Sequence, residues 1–196
     1  KTGIRKGRRM KNRQTPPIPP LEDLEEELKR IKYQKRYGRM LRSTVYTLVI
    51  VAAVAVLIAV LVFPVLRIHG SSMTPNLTDG NIVISLKNSG YEVGDCIAFY
   101  YNNKILVKRV IARSGEWVDI DEDGYVYVDG EKLDEPYVGD HALGECDITL
   151  PYQVPEGRVF VMGDHRSVSV DSRSTSIGCV SDEQIVGKLL LRVWPL

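Results

Sequence analysis

A run of 23 residues without a charged side chain, Thr44 to Leu66, constrains this 196-residue chain more than any other feature. The run consists mainly of Val, Ala, Leu and Ile, and roughly 20 such residues in a helix cross the apolar core of a bilayer. A helix buried in a soluble core seldom runs this far without a polar position. The sequence therefore predicts a transmembrane helix over 44–66, with Pro64 near its far end, where a helix can stop.

Charge is divided unevenly on the two sides of this run. Residues 1–43 carry 14 Lys/Arg against 5 Asp/Glu, whereas residues 67–196 carry 12 against 20. Basic residues mark the cytoplasmic side of a membrane span. The chain is therefore predicted to have a cytoplasmic arm (1–43), a single-pass span (44–66) and a domain on the extracytoplasmic face (67–196). No nucleic-acid-reading module accompanies the arm, so we expect the lipid bilayer and no nucleic acid as a partner.

A cleavable signal peptide is the competing interpretation of the apolar run. Its apolar core is usually about 7–15 residues long and ends at a small-residue site, whereas this run is longer and leads into Val65-Leu66-Arg67-Ile68-His69. An uncleaved anchor fits better.

The arm itself has two parts. Residues 1–20 are basic and proline-rich, so they are expected to be disordered or extended. Residues 21–42 repeat Leu and Ile at helical spacing, which predicts a short amphipathic helix that pairs with another helix, lies on the bilayer or is solvated.

From Ile68 onward the pattern is that of a mostly β domain of antiparallel, coiled or barrel-like sheets. Short segments rich in β-branched and aromatic residues are separated by Gly, Asn and Asp turns. Residues 136–155 have weak patterning and predict a partly irregular connection. The strands are expected at 82–86, 96–100, 105–112, 117–120, 125–128, 159–162 and 185–193.

Cysteine and histidine content limits the chemistry of this domain. The three cysteines, Cys96, Cys146 and Cys179, have no metal-type spacing, and one disulfide or three free thiols both remain open. With three histidines in the whole chain, we expect no metal site and no cofactor.

A serine in the segment that follows the span, residues 70–77 (the serine loop), is a candidate nucleophile. Ser72 would need a base within hydrogen-bond reach. His69 is close in sequence and His141 lies in the irregular connection, which leaves His165 as the histidine candidate. A lysine is the other option, since serine–lysine pairs follow the same logic as the catalytic triad.

Lys108 suits that role because it interrupts the apolar strand Ile105 to Ile111. Neighbours in a strand point to opposite faces, so Lys108 faces apolar surroundings if Arg109 faces solvent or a carboxylate. Burial lowers the pKa of a lysine and yields a neutral amine. The alternative is a lysine at the strand edge with a solvated ammonium group.

Residues 163–173 (the polar loop) are too polar for a core strand. Ser169, Asp171 and Arg173 alternate, so they share a face if the chain is extended. Ser169 could hold a lysine amine, and Asp171 could pair with Arg173 or Arg166. The alternative is a turn with a surface ion pair, which contributes little.

Five ordered motifs in residues 44–196 resemble the bacterial type I signal peptidases. They are Ser72-Met73-x-Pro75-x-Leu77, Gly94-Asp95-x-Ile97-x-Phe99, Lys108-Arg109-Val110, Gly163-Asp164-x-Arg166-x-x-Ser169-x-Asp171-Ser172-Arg173 and Ile185-Val186-Gly187-Lys188. The resemblance implies a membrane-bound serine endopeptidase that removes signal peptides from exported preproteins, with the export translocon as a candidate partner.

The resemblance also implies roles for individual residues. Ser72 is the nucleophile and Lys108 the general base, Ser169 positions the amine, and Asp171 and Arg173 support the site. Small pockets would accept alanine-like residues at positions −1 and −3 of the substrate. Their expected lining is Ile68, Met73, Leu77 and Val107.

The sequence departs from the family pattern at several positions. His165, Ser167 and Val168 replace Asn, Asp and Asn, so Arg166 lacks its usual neighbouring acid. Gly70 stands where some members have an oxyanion-donating serine, which leaves the backbone N–H of Ser72 as the chief expected donor. Asn76 replaces a frequent Thr.

Two other functions stay open on the residues alone. A self-cleaving serine–lysine protein of the repressor type shares the same pair, although the membrane span and the missing DNA-binding module argue against it. The second is a non-catalytic, membrane-anchored β-module that binds exported proteins.

Overall fold

The apolar run forms the second part of one long helix, α1 (Leu21–Val62), in a computed structural model that describes residues 20–195. The predicted disordered stretch 1–20 lies, except for Pro20, outside the described residues. The predicted amphipathic helix and the predicted span are continuous in α1. Within 20–195, α1 is the one helix long and apolar enough to cross a membrane.

Helix α1 ends at Val62 rather than at Leu66, where the apolar run ends. Pro64 has no N–H to donate to the preceding turn, and its ring disfavours helical geometry at Phe63. Residues 65–67 instead form the first strand of the domain that follows.

The described part of that domain contains eleven strands, and every strand pair is antiparallel. The strands are β1 (Val65–Arg67), β2 (Ile82–Lys87), β3 (Cys96–Tyr101), β4 (Lys104–Ala112), β5 (Trp117–Ile120), β6 (Val126–Val128), β7 (Glu131–Lys132), β8 (Tyr152–Gln153), β9 (Arg158–Met162), β10 (Val180–Ser181) and β11 (Ile185–Trp194). A 3-10 turn, Asp182–Gln184, precedes β11.

The strands form two sheets, which confirms the predicted mostly β, antiparallel class. The larger sheet has the order β1-β2-β11-β3-β4-β9-β10, and the smaller one β7-β6-β5-β8. Both are open sheets rather than closed barrels. The seven predicted strands are all present to within a residue or so at each end, whereas β1, β7, β8 and β10 are too short to leave a pattern in the sequence.

Two tight turns fix the register of the hairpins. Asn102 and Asn103 both have positive φ and join β3 to β4, and Asp129 and Gly130 do the same between β6 and β7. Positive φ at both central residues defines the turn that matches the strand twist, and Asn, Asp and Gly adopt it most readily. The β3–β4 turn thereby sets which face of β4 carries Lys108.

Three apolar clusters fill the domain. One lies between the two sheets around Ile111, Val118 and Phe160, and a second packs around Phe99 and Val161. The third lies at the serine loop and consists of Ile68, Met73, Leu77 and Val83. All three cysteines are free thiols.

Candidate active site

A groove of about 550 Å³ opens on the domain beside the serine loop. Strand β1 forms one side and the first half of β4 the other, although β2, β11 and β3 separate these strands in the sheet order. The larger sheet is therefore strongly coiled. The groove is lined by Val65 to Gly70, Ser72, Met73 and Lys104 to Lys108.

Ser72 lies on a turn in which, among the described residues, some backbone N–H groups have protein acceptors and the N–H of Ser72 does not. The N–H of Gly70 donates to Asp79 Oδ1 at 2.9 Å, and that of Thr74 donates to the Ser71 carbonyl at 3.1 Å. Within residues 20–195 the N–H of Ser72 donates to no protein acceptor. Gly70 has a φ of +90°, a conformation that side chains with a Cβ rarely adopt.

Lys108 is buried, with 3% of its surface exposed. Its Nζ donates to Ser169 Oγ at 2.8 Å. Burial lowers the pKa of the Lys108 amine to about 8; the Asp171 charge opposes that shift and the Arg173 charge adds to it. Lys108 is thus a buried amine, and the alternative of a solvated ammonium group at the strand edge does not describe it.

Ser169 and Asp171 form the next layer behind the lysine. Ser169 Oγ donates to Asp171 Oδ2 at 2.6 Å. Arg173 donates to the same carboxylate from Nε and Nη2, both at 2.8 Å, and the N–H of Gly163 adds a further bond at 2.9 Å. Burial alone would raise the pKa of Asp171, but the Arg173 charge and these hydrogen bonds outweigh it and keep that pKa below its usual range.

Gly163 marks the point of closest approach between the two loops. A Cβ at this position would lie 2.3 Å from Ser169 Oγ and 2.4 Å from the Ser72 carbonyl oxygen. Both distances are far shorter than van der Waals contact, so the backbone of the polar loop passes directly beneath the candidate nucleophile only because residue 163 has no side chain.

Arg109, on the opposite face of β4 from Lys108, binds a carboxylate. Its Nε and Nη2 donate to Asp164 at 2.7 and 2.6 Å, and its guanidinium lies 3.9 Å above the Tyr137 ring. Asn76 of the serine loop donates both to Asp164 and to the Tyr137 carbonyl. Strand β4 and the serine loop are therefore both anchored to the carboxylate of Asp164.

The partner of Arg166 is Glu135. Two guanidinium nitrogens of Arg166 donate to the two oxygens of Glu135, and both side chains are at most 1% exposed. The His141 ring lies nearby, with Nδ1 3.9 Å from the same carboxylate. An acid distant in sequence thus takes the place of the neighbouring acid that the family pattern has beside this arginine.

The structure brings most of the sequence-predicted site residues together. Ile68, Gly70, Met73 and Val107 line the groove with Ser72 and Lys108, whereas Leu77 packs in the cluster at the serine loop and is not part of the groove lining. The Ser72 hydroxyl hydrogen-bonds neither Lys108 nor any of the three histidines within residues 20–195. Catalytic hydrogen bonds often tighten only once substrate is bound.

Sequence reasoning gave no role to several residues that hold the site together. Asp164 and Gly163 belong to the motif that spans residues 163–173, so their place in that motif could have pointed to a role. Glu135 and Tyr137 belong to a segment without regular periodicity, and no local pattern connects them to the polar loop 30 residues later.

Comparison with known proteins bears on this arrangement. A family model described as signal peptidase, peptidase S26, matches residues 41–194. Signal peptidase IB of Staphylococcus aureus (strain N315) is 39% identical over 148 residues, covering 65% of this chain and 76% of the relative. Signal peptidase I of Bacillus caldolyticus is 40% identical over 147 residues, covering 65% and 78%.

A solved signal peptidase I from Enterococcus faecalis V583 is also similar. It shares 31% sequence identity, covers 52% of this chain and 98% of its own, and superposes with a TM-score of 0.43.

The match over residues 41–194 shows that the chain belongs to the peptidase S26 family of signal peptidases. Its class of activity is the removal of signal peptides by a serine protease, and the apolar helix α1 fits a membrane-anchored protein.

Replacing Lys108 by Met should stabilise the domain at neutral pH. Below about pH 8 the lysine is protonated in both the folded and unfolded chains, so burial costs about 3 kcal/mol. Between pH 8 and 10.5 only the folded chain has released the proton, and the cost disappears. In thermal unfolding of the detergent-solubilised full chain, Lys108→Met should unfold about 6–12 °C higher at pH 7, with the difference narrowing at alkaline pH.

Lys87→Met is the matched control, because Lys87 is an exposed lysine on β2 and lies outside the groove. It should show no pH-dependent difference from the wild type. A Lys108→Met chain that is less stable than the wild type by a constant amount at every pH would contradict the burial of a charged lysine.

Glu135→Gln should destabilise the domain by about 3–5 kcal/mol, because the guanidinium of Arg166 would stay buried without a counter-charge. Denaturant unfolding at neutral pH measures this. Glu131→Gln, at an exposed position on β7, should stay within about 0.5 kcal/mol of the wild type. Equal effects of the two substitutions would mean that the Glu135–Arg166 pair does not support the fold.

Proposed function

We propose that the chain is a serine endopeptidase in which Ser72 is the nucleophile and the neutral amine of Lys108 is the general base. The observation that carries this is the buried Lys108 amine, held by Ser169 Oγ at the wall of the groove that also contains Ser72. A serine hydroxyl needs such a base, and the pKa of about 8 leaves a usable neutral fraction at physiological pH.

The reaction proceeds in two halves. Lys108 Nζ takes the proton of Ser72 Oγ as Oγ attacks the carbonyl carbon of the −1 residue. The tetrahedral oxyanion collapses to an ester on Ser72, and the protonated Lys108 gives its proton to the leaving amine of the mature protein. Lys108 then takes a proton from a water molecule as that water attacks the ester carbonyl, and it gives this proton to Ser72 Oγ as the ester bond breaks.

The free N–H of Ser72 supports its role as an oxyanion donor. The N–H of Gly70 is engaged by Asp79, so Gly70 contributes its backbone conformation rather than a second donor.

The groove suits an extended peptide. Among residues 20–195, strand β1 pairs only with β2, and β9 pairs with β4 only from Arg109 onward. One edge of β1 and the Lys104–Lys108 edge of β4 therefore both carry backbone groups without a strand partner in that part of the chain. A signal peptide adds a strand at these edges by main-chain hydrogen bonds.

Cleavage after small residues at −1 and −3 follows from the period of an extended chain. Alternate side chains point the same way, so −1 and −3 face the groove floor together while −2 faces outward. Ile68, Met73 and Val107 line that floor and restrict the space available to the two inward side chains.

The charge asymmetry and the position of α1 support a single-pass topology. We place the arm, residues 1–43, in the cytoplasm and the peptidase domain, residues 67–196, on the extracytoplasmic face, with the span between them. Preproteins emerging from the export translocon would reach the groove in that orientation.

The proposal predicts that the purified full chain in detergent cleaves a preprotein in trans. The sequenced N-terminus of the product should follow an Ala-x-Ala-like site, and Leu at −1 or −3, but not at −2, should block cleavage. Ser72→Ala and Lys108→Met should be inactive because they remove the nucleophile and the base. Lys108→Arg should also be inactive, because guanidinium does not deprotonate in proteins.

The two alternative functions predict different results in that experiment. A non-catalytic β-module would leave the preprotein intact, and a self-cleaving protein would cut only itself. Turnover by Lys108→Arg would remove Lys108 as the base.

The rate should also depend on pH in one direction. Because only the neutral amine accepts the serine proton, kcat/KM should rise about tenfold per pH unit below pH 8 and level off above it. Initial rates on a short peptide between pH 6 and 9.5 measure this. A flat profile over that range would contradict a titrating lysine base.

A further inference from the structure

His165 is bonded to both halves of the site. Its backbone N–H donates to the Ser72 carbonyl at 3.0 Å, and its own carbonyl accepts the N–H of Ser169 at 3.0 Å. Its side chain adds a third bond, between Nδ1 and Thr74 Oγ1, at 2.9 Å. One residue therefore connects the turn that carries the candidate nucleophile to the turn whose serine holds Lys108.

The direction of the side-chain bond follows from the partners of Thr74. A threonine hydroxyl has one proton, and Thr74 Oγ1 donates it to the Ser71 carbonyl at 2.8 Å. Thr74 Oγ1 must therefore accept from His165, so Nδ1 carries a proton. Both the neutral Nδ1–H tautomer and the imidazolium ion satisfy this requirement.

We propose that His165 is a positioning residue that fixes Ser72 relative to Lys108 through its Nδ1–H bond to Thr74. This rests on the proposed roles of Ser72 and Lys108. Without this bond, the serine loop is attached to the polar loop by the backbone bond at Ser72 and by Asn76, which donates to Asp164 four residues beyond Ser72. The bond between Thr74 and His165 adds an attachment two residues beyond Ser72, closer in sequence to the candidate nucleophile than Asn76.

The expected defect is confined to turnover. His165 does not line the groove within the described residues, so its loss should leave peptide binding intact. Misplacing a nucleophile lowers the rate steeply, and losing one ordinary hydrogen bond corresponds to a decrease of about tenfold. We expect kcat to fall by about that factor while KM stays within about twofold.

Substitution of His165 by Asn and by Gln distinguishes the effect of the Nδ1 hydrogen bond from the effect of the size of the ring. The Nδ2 of Asn can occupy the position of the histidine Nδ1, whereas the amide of Gln is one bond further out, near the position of Nε2. His165→Asn should therefore retain most of kcat, and His165→Gln and His165→Ala should both lose it. On the other side of the bond, Thr74→Ser keeps the hydroxyl and Thr74→Val removes it at nearly constant volume.

The experiment compares kcat and KM of these full-length variants on a short signal-peptide substrate in detergent, with thermal unfolding as a check that each one is folded. His165→Ala combined with Thr74→Val should be no slower than Thr74→Val alone, because Thr74→Val already removes the bond to His165 together with the bond to Ser71. The pH midpoint of every active variant should stay near that of the wild type, since Lys108 is untouched.

The outcomes distinguish the two proposals. Equal activity of the Asn and Gln variants, a wild-type kcat for His165→Ala, or losses that multiply in the double variant would each overturn the positioning role. If a position-165 variant fails to fold, the two Thr74 variants provide the same test. Thr74→Ser should retain most of kcat and Thr74→Val should lose it, and equal kcat values would overturn the positioning role. A folded wild type that does not cleave the peptide would overturn the proposed function itself, and the positioning role with it.

Discussion

The site depends on a buried ion pair between Asp171 and Arg173, neither of which is exposed. Without Arg173, the carboxylate behind Ser169 would stabilise the protonated form of Lys108, so the pKa of Lys108 would rise and less of the amine would be neutral at neutral pH. With Arg173 in place, Asp171 stays ionised, orients the Ser169 hydroxyl and leaves burial as the main influence on Lys108. A pair of this kind adds little to stability on its own, and its value here lies in the protonation state of its neighbour.

Buried ion pairs also hold the loops in place. Asp164 connects strand β4 to the serine loop through Arg109 and Asn76, and Glu135 fixes the polar loop through Arg166. Apolar packing lies on the other side, at the cluster that contains Ile68 and Met73. These hydrogen-bonded ion pairs therefore set the distances between candidate catalytic groups that come from separate parts of the chain. The coiled sheet forms the groove in front of those groups.

The sequence predicts what short-range periodicity encodes. Alternating apolar residues identified seven strands, the uncharged run identified the helix that could span a membrane, and ordered motifs brought Ser72, Lys108, Ser169, Asp171 and Arg173 into one hypothesis. It could not predict the partner of Arg166, because Glu135 reaches it through tertiary folding of an irregular segment. The sequence also could not show that Leu77 lies outside the groove. The direction in which this apolar side chain points depends on how the turn packs against β2.

The most direct test of this account is an NMR titration of the Lys108 side chain in the detergent-solubilised chain, with labelled lysine and Lys108→Met to assign the signal. Ser72→Ala would be used as the background to prevent turnover. We expect a midpoint near pH 8, well below the ordinary value for a lysine of about 10.4. A Lys108 midpoint at or above pH 10 would mean that the amine is charged under working conditions, and it would contradict the assignment of Lys108 as the base.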